Sequence, residues 1–316
     1  MKLGLFLSSE EYRPDELVAQ AKQAAAAGFE GLWISDHFHP WLDAQGQSPF
    51  VWSMIGAVSQ VCDLPITTAV TCPIQRIHPV IVAQAAATSA VLTGGRFQLG
   101  VGTGEALNES IVGDVWPPAA IRQDMLEEAV ELMRALWTGE VVTFDGDFYT
   151  VHHARIYTLP ETPPPVYVSA YGPRAVEVAA RIGDGFVSTR PDARLLSAWR
   201  EKGGGDKPAQ GGMKVCYALD EQEAVRTAHE KWRSSGLPGE MGQILPTPEH
   251  FEQASSLVTE EMTAKEFVCG ADPKRHLEQI RKYADAGFDE LYIAPIGPHH
   301  AEMIAFYESE ILPAVR

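Results

Sequence analysis

Short continuous apolar runs alternate with longer stretches of helical period along this chain, and the alternation repeats from end to end. Lys2–Leu7 is the first run. The segment Arg13-Pro14-Asp15-Glu16 then opens a helix, with proline in the first turn and acids near the positive end of the dipole, and Gly28 closes it after a run of alanines. Residues 31–35 (GLWIS) are apolar throughout and flanked by turn residues, as a strand buried on both faces requires. The same unit recurs as a helix over 53–61, a strand over 66–71, a helix over Pro79–Leu92 and a strand over Phe97–Val101. A longer helix is predicted over 121–137. In VVTFDGDFYTV, Asp145-Gly146 between alternating residues signals a β-hairpin that leaves the main sheet.

After Pro160 and the prolines at 163–165, the pattern resumes with a strand over 166–170, a helix over 173–181 and a strand over Gly185–Ser188. The stretch 192–212 reads as a helix followed by GGGDKPAQGG, an exposed mobile loop. Residues 214–217 are the seventh strand, followed by a helix over 221–234 and a second excursion over 235–263, rich in Pro and Gly. A helix over 272–286, a strand over 291–294 and a final helix over 299–312 complete the chain. Eight strands alternate with helices, with no Ser/Gly linker and no shift of composition at the middle. The expectation is a single α/β domain over 1–316, a (β/α)8 TIM barrel with insertions after strands 4 and 7.

Charge and cysteine usage narrow the function. The 42 acids against 25 bases give a formal charge of -17, which repels nucleic acid and anionic membranes, and no basic run overcomes it locally. The opening MKLGLFLSS carries too short an apolar run for a leader and reads as a strand; no stretch is apolar enough to span a bilayer. Cys62, Cys72, Cys216 and Cys269 are widely spaced, which argues against a zinc site or a disulfide scaffold and for a reducing cytoplasm.

In a barrel, chemistry gathers where the strands end, and that rim is readable: Ser8, Ser9 and Glu10; Asp36, His37 and Trp41; Thr71 to Gln75; Thr103 and Glu105; Ser169 and Tyr171; Thr189 and Arg190. In SDHFHPW, His37 is suited to take a proton from a substrate hydroxyl, Asp36 to orient it, and Trp41 to wall a pocket, with His39 structural. In GVGTGEALNE, Gly102 and Gly104 shape a loop that presents Glu105 for proton transfer, while the third glycine of a dinucleotide fingerprint is missing. Tyr12, Phe38, Trp41, Phe50, Trp52 and Trp116 supply an apolar wall for a flat ring system; Trp33, Phe97, Trp137 and Phe186 are assigned to packing. His78 and the adjacent His152 and His153 lack metal-ligand spacing, so no metal site is expected, and His299 and His300 read as solvated.

SDHFHPW, GVGTGEALNE, RALWTGEVVTFDGDFY and RIGDGFVST together resemble the bacterial luciferase-like barrels, and within them the coenzyme F420-dependent glucose-6-phosphate dehydrogenase group. The resemblance implies a deazaflavin in the barrel mouth and hydride transfer between a substrate carbinol carbon and ring carbon C5, in a homodimeric enzyme with a small-molecule substrate. It implies catalytic roles for His37, Glu105, Trp41 and Glu10, with Asp36 positioning the ring and Glu105 serving the ring nitrogen. It implies a non-proline cis peptide at Ala69-Val70 beneath the ring, and cofactor contacts from Thr103, Gly104, Asn108, Ser169, Ala170, Tyr171, Gly172 and Thr189. FMN is the alternative cofactor, as in a monooxygenase of the same barrels. Where sugar-phosphate members of the group present basic side chains, this chain has Asp192, Glu266 and Gly242, which disfavours a phosphorylated sugar unless Arg190 or Lys265 substitutes, and favours a free sugar or secondary alcohol.

Overall fold

The computed structural model describes residues 1–315. In chain order the elements are β1 (Lys2–Leu7), α1 (Pro14–Ala27), β2 (Leu32–Ile34), α2 (Val51–Val58), β3 (Ile66–Thr68), α3 (Pro79–Leu92) and β4 (Phe97–Val101). There follow α4 (Ala106–Glu109), α5 (Ala119–Leu136), β5 (Val142–Asp145), β6 (Thr150–Ala154), β7 (Val166–Ser169), α6 (Pro173–Ile182), β8 (Gly185–Ser188), α7 (Ala193–Trp199) and β9 (Ala209–Cys216). The chain then forms α8 (Glu221–Trp232), α9 (Met241–Ile244), α10 (Pro248–Ala254), α11 (Glu260–Glu266), β10 (Val268–Cys269), α12 (Pro273–Ala286), β11 (Glu290–Ile296), α13 (His300–Phe306) and α14 (Leu312–Val315).

Strands β1, β2, β3, β4, β7, β8, β9 and β11 pair in that order, and the ring closes from β8 to β9 and from β11 to β1. All these pairings are parallel, so every strand delivers its C-terminal end to one rim. The hairpin β5–β6 stands apart as its own antiparallel sheet between barrel strands β4 and β7. The excursion over 235–263 folds as short helices and turns. Strand β10 pairs with Val215 and Cys216, the end of β9 that β8 no longer reaches, so the barrel opens at its mouth and β10 fills the gap.

Alternation along the strands sorts two cores. Leu3, Leu5, Leu7, Leu32, Ile34, Ile66 and Leu99 face the helices, while Phe6, Trp33, Tyr167, Val187, Tyr292 and Ala294 pack inside the barrel. Trp33 stacks on Tyr292 at 4.7 Å between ring centres, and its Nε1–H donates to Gln210 Oε1 at 2.8 Å. Gln210 in turn donates to Gln98 Oε1 at 2.8 Å, closing the barrel floor with satisfied polar groups.

The expected loop GGGDKPAQGG requires correction. Its second half, Ala209 to Gly212, is the buried start of β9, because the barrel leaves no space for side chains there: a Cβ on Gly212 would lie 2.3 Å from Trp33 Cζ3. Strand β3 ends at Thr68, before a cis peptide at Ala69-Val70, and Thr71 rejoins the sheet through a bridge to Val101. His300 also departs from expectation: it packs edge-on against Tyr12 at 5.2 Å, and burial lowers its pKa below the ordinary histidine value. His152 and His153 are both exposed in β6, with His153 at φ 53.

Candidate active site

The loops after β1 and β2 are lashed together by short bonds. Ser9 N–H donates to Ser35 Oγ at 2.8 Å, Ser9 Oγ donates to Ser35 O at 2.9 Å, and Ser35 Oγ donates to Glu10 Oε2 at 2.6 Å. The other oxygen of Glu10 lies 3.5 Å from His37 Nε2, and both side chains are largely buried. That separation is long for a hydrogen bond and leaves Nε2 open to an incoming hydroxyl.

The far side of His37 is built by α4. Asn108 Oδ1 accepts from the backbone N–H groups of Phe38 and His39 at 2.8 and 3.1 Å, which fixes its amide so that Nδ2 faces His37 Nδ1 at 3.0 Å. Nδ1 also lies 3.2 Å from His39 O. A neutral imidazole whose Nδ1–H donates to His39 O leaves Nε2 free to accept a proton, and the imidazolium then finds an acceptor for each of its N–H groups, His39 O and Glu10. Asn108 Nδ2 reaches on to Glu105 Oε2 at 3.4 Å, so Glu10, His37, Asn108 and Glu105 form one row across the mouth. Trp41 closes it, its ring 5.0 Å from His37 and 5.1 Å from Phe251 of α10.

One expected role moves. Asp36 does not touch His37: its side chain is fully buried and accepts from Arg76 Nη2 at 2.8 Å and from Thr71 Oγ1 at 2.8 Å, and the carboxylate facing His37 is Glu10. The Asn108 side chain holds the His37 loop and reaches Glu105. His39 is structural as read, with Nδ1 3.0 Å from Leu107 O. Sequence reasoning passed over Arg76 and Glu109. The Arg76 guanidinium bridges Asp36 to Glu109 Oε1 (3.3 Å), and its backbone N–H donates to Glu109 Oε2 at 2.8 Å. Burial pushes the Glu109 carboxyl above its ordinary range, against the pull of Arg76. The i, i+4 spacing of Glu105 and Glu109, one in the mouth and one beneath it, was the available signal.

The remaining predicted contacts sit around the rest of the rim. Gly104, at φ 68, packs onto Cys72, and a Cβ there would lie 2.5 Å from Cys72 Sγ; Thr103 stands beside it. Val70, Gly102 and Ser169 are contiguous, since a Cβ on Gly102 would come within 2.7 Å of Val70 Cγ2 and 3.7 Å of Ser169 Cβ. This cradle beside Ala69 fits a flat ring, and Ser8 Oγ, buried without a partner among the described residues, is a free polar group at the end of β1. Beyond Ala170, Gly172 precedes α6 with no side-chain cap, so the first N–H groups of that helix stand ready for an anion. Tyr171 leans across this place: its hydroxyl lies 2.9 Å from Thr189 Oγ1, and the Arg190 guanidinium sits 5.9 Å from its ring centre.

The positions that depart from the sugar-phosphate pattern are engaged elsewhere. Asp192 caps α7, accepting from Arg194 and Leu195 N–H at 2.9 and 3.1 Å. Glu266 is exposed at the end of α11, Gly242 lies within α9, and Lys265 pairs with Glu261 at 2.7 Å on the surface.

Residues 1–290 match the model of the luciferase-like monooxygenase family. The chain is 35% identical to the F420-dependent glucose-6-phosphate dehydrogenase of Intrasporangium calvum, covering 100% of this chain and 99% of that one. It is 36% identical to the F420-dependent hydroxymycolic acid dehydrogenase of Mycobacterium tuberculosis, covering 99% and 88%. Among solved structures, an F420-dependent secondary alcohol dehydrogenase in complex with an F420-acetone adduct superposes with a TM-score of 0.91 at 32% identity, covering 100% of this chain and 99% of that one.

Proposed function

This chain belongs to the luciferase-like monooxygenase family, and from that premise we propose that it is a coenzyme F420-dependent oxidoreductase acting on CH–OH donors, with a non-phosphorylated sugar or secondary alcohol as substrate. The observation that carries the reading is the row Glu10, His37, Asn108 and Glu105, which holds a base for a hydroxyl proton and a second acid on opposite sides of one mouth.

The deazaflavin supplies hydride exchange at its C5 when bound. The protein's part is positioning and proton handling. Ala69, Val70, Gly102 and Ser169 floor the ring, and the uncapped α6 N-terminus with Thr189 receives the phosphate of the tail through neutral donors. Trp41, packed beside His37, walls the side of the mouth where the carbinol carbon would lie. His37 Nε2 takes the hydroxyl proton, and the resulting imidazolium is held between Glu10 and His39 O. Glu105 exchanges the proton needed at the ring nitrogen. Asp36 supports this arrangement from below through Arg76 rather than by touching His37.

Homologues that act on secondary alcohols and on phosphorylated sugars leave the substrate to this chain's own residues. Asp192 and Lys265 are committed to other partners, which supports an uncharged substrate. The free, buried cysteines support a cytoplasmic location, and the group resemblance supports a homodimer, for which light scattering of the purified protein is the test.

The decisive experiment titrates F420 and FMN against the protein and follows deazaflavin absorbance across alcohols, free sugars and sugar phosphates. F420 binding with turnover of uncharged alcohols is expected, abolished in His37→Ala and Glu105→Gln while F420 still binds. Tight FMN binding with no affinity for F420, or a strong preference for sugar phosphates, would overturn the reading.

A further inference from the structure

Along β9 the residues facing the barrel interior are Gln210, Gly212 and Lys214. Gln210 bonds to Trp33, Gly212 lies against the Trp33 ring, and Lys214 is the next inward position, registered with interior Ala294 of β11. Its side chain therefore rises into the mouth. The ammonium rests 4.3 Å from the centre of the Trp232 ring, and Trp232 belongs to the cluster against which Trp41 packs.

Among the described residues Lys214 has neither an acceptor nor a carboxylate in ion-pair range, although Glu10, Glu266 and Glu11 all act on its charge. None of the three comes within ion-pair range of it, and two are engaged elsewhere. Glu10 is held by Ser35 and faces His37; Glu11 accepts from Trp232 Nε1–H and Gly297 N–H; Glu266 is exposed at the end of α11. Burial also pushes the Lys214 ammonium below its ordinary pKa, as expected for a cation without a partner. With one side of the ammonium against the Trp232 ring, its other N–H donors have no acceptor among the described residues, and the proposed mechanism uses none of them.

We propose that Lys214 binds a second oxygen of the substrate, and that the substrate is a polyhydroxylated alcohol, a free sugar or vicinal diol, oxidised at one carbinol carbon while a neighbouring hydroxyl is gripped by this ammonium. The assignment rests on the F420-dependent reading above and deepens it. A hydroxyl fits better than a phosphate dianion because the carboxylates of Glu10 and Glu266 already act on the same cation. Lys214 changes no bond: the hydride leaves the carbinol carbon, the hydroxyl proton goes to His37, and the ammonium keeps its protons.

The test compares butan-2-ol with butane-2,3-diol, which differ by the second hydroxyl, as substrates for oxidation with F420, using the wild type, Lys214→Met and Lys214→Gln, with F420 affinity read separately by fluorescence. The wild type is expected to prefer the diol in kcat/KM. That preference should fall by about tenfold to a hundredfold in Lys214→Met, chiefly through KM, and by less in Lys214→Gln, the span expected for one hydrogen bond from a charged donor. If F420 binds and butan-2-ol is oxidised but the diol has no advantage, or if the preference is unchanged in both variants, the assignment of Lys214 is overturned and the cofactor reading stands. Failure of the wild type to bind F420 overturns both.

Discussion

Replacing Arg76 by Met tests whether the catalytic row depends on the charge network beneath it. The guanidinium is 6% exposed and bridges two carboxylates that are 0% and 1% exposed, Asp36 at the end of β2 and Glu109 in α4. Removing it leaves Asp36 with Thr71 Oγ1 and Glu109 with one backbone N–H. Orphaning buried charge in this way costs about 3–5 kcal/mol. With an unfolding entropy of about 2.1 cal/mol/K per residue, a chain of this length loses about 5–8 °C in Tm. The pH dependence follows from the Glu109 carboxyl, which burial already raises and Arg76 pulls back down. Without Arg76 it rises further, so the folded state of the variant binds protons that the unfolded state does not. Its stability is then fullest at acid pH and is lost as pH rises through the folded pKa, so the deficit against wild type should widen as pH rises above the ordinary carboxylate range. Differential scanning calorimetry across that rise reads this, and F420 turnover should fall more than F420 affinity because His37 and Glu105 lose their common anchor. A variant melting within about 1 °C of wild type at every pH, with turnover intact, would refute the account.

Three further outcomes are expected. Gly212→Ala places a Cβ 2.3 Å from a Trp33 ring that is stacked on Tyr292 and bonded to Gln210, so denaturant unfolding should show a loss of about 1–3 kcal/mol or more; an unchanged midpoint contradicts the packing described. Burial lifts the Glu11 carboxyl to about 7, so it contributes stability below its unfolded pKa that is lost as pH rises through about 7, a total of about 3 kcal/mol; Glu11→Gln should flatten that part of the Tm–pH curve even if its absolute Tm is lower. Tyr171→Phe releases Thr189 Oγ1 and should tighten F420 about threefold to tenfold while leaving the phosphate-free deazaflavin unaffected, as fluorescence titration of the two ligands will show.

The barrel was legible because parallel strands buried on both faces leave short apolar runs, and helices between them carry their own stops. Phe97–Val101, Pro79–Leu92 and Gly185–Ser188 needed no revision. The start of β9 was not legible, because Gly211 and Gly212 mark the places where Tyr283 and Trp33 have taken the room for side chains, and glycine in sequence reads first as a turn. The site divides the same way. Residue types at the rim could be named, but the partnership of Asp36 with His37 could not be judged from adjacency. Past the end of β2 the chain leaves the strand, and Asp36 turns to Arg76 while His37 turns to Glu10. Its carboxylate comes from β1, the strand paired beside β2, and such a pairing belongs to the fold rather than to any local motif.

The corrected pairing also sharpens the argument about substrate charge. Arg76 is spent on Asp36 and Glu109 and offers nothing to a ligand. The mouth then holds Glu10 and Glu105 against the ammonium of Lys214, with Arg190 out at the rim beside Tyr171. Two like charges at 4 Å repel by about 4 kcal/mol at the effective dielectric of a protein surface, so a phosphate dianion brought among these acids would forfeit more than one ammonium returns. An uncharged polyol meets no such opposition, and its hydroxyls can accept from Lys214 while donating to His37. The same acids that make the mouth hostile to a sugar phosphate are therefore what allow it to move protons for a neutral alcohol.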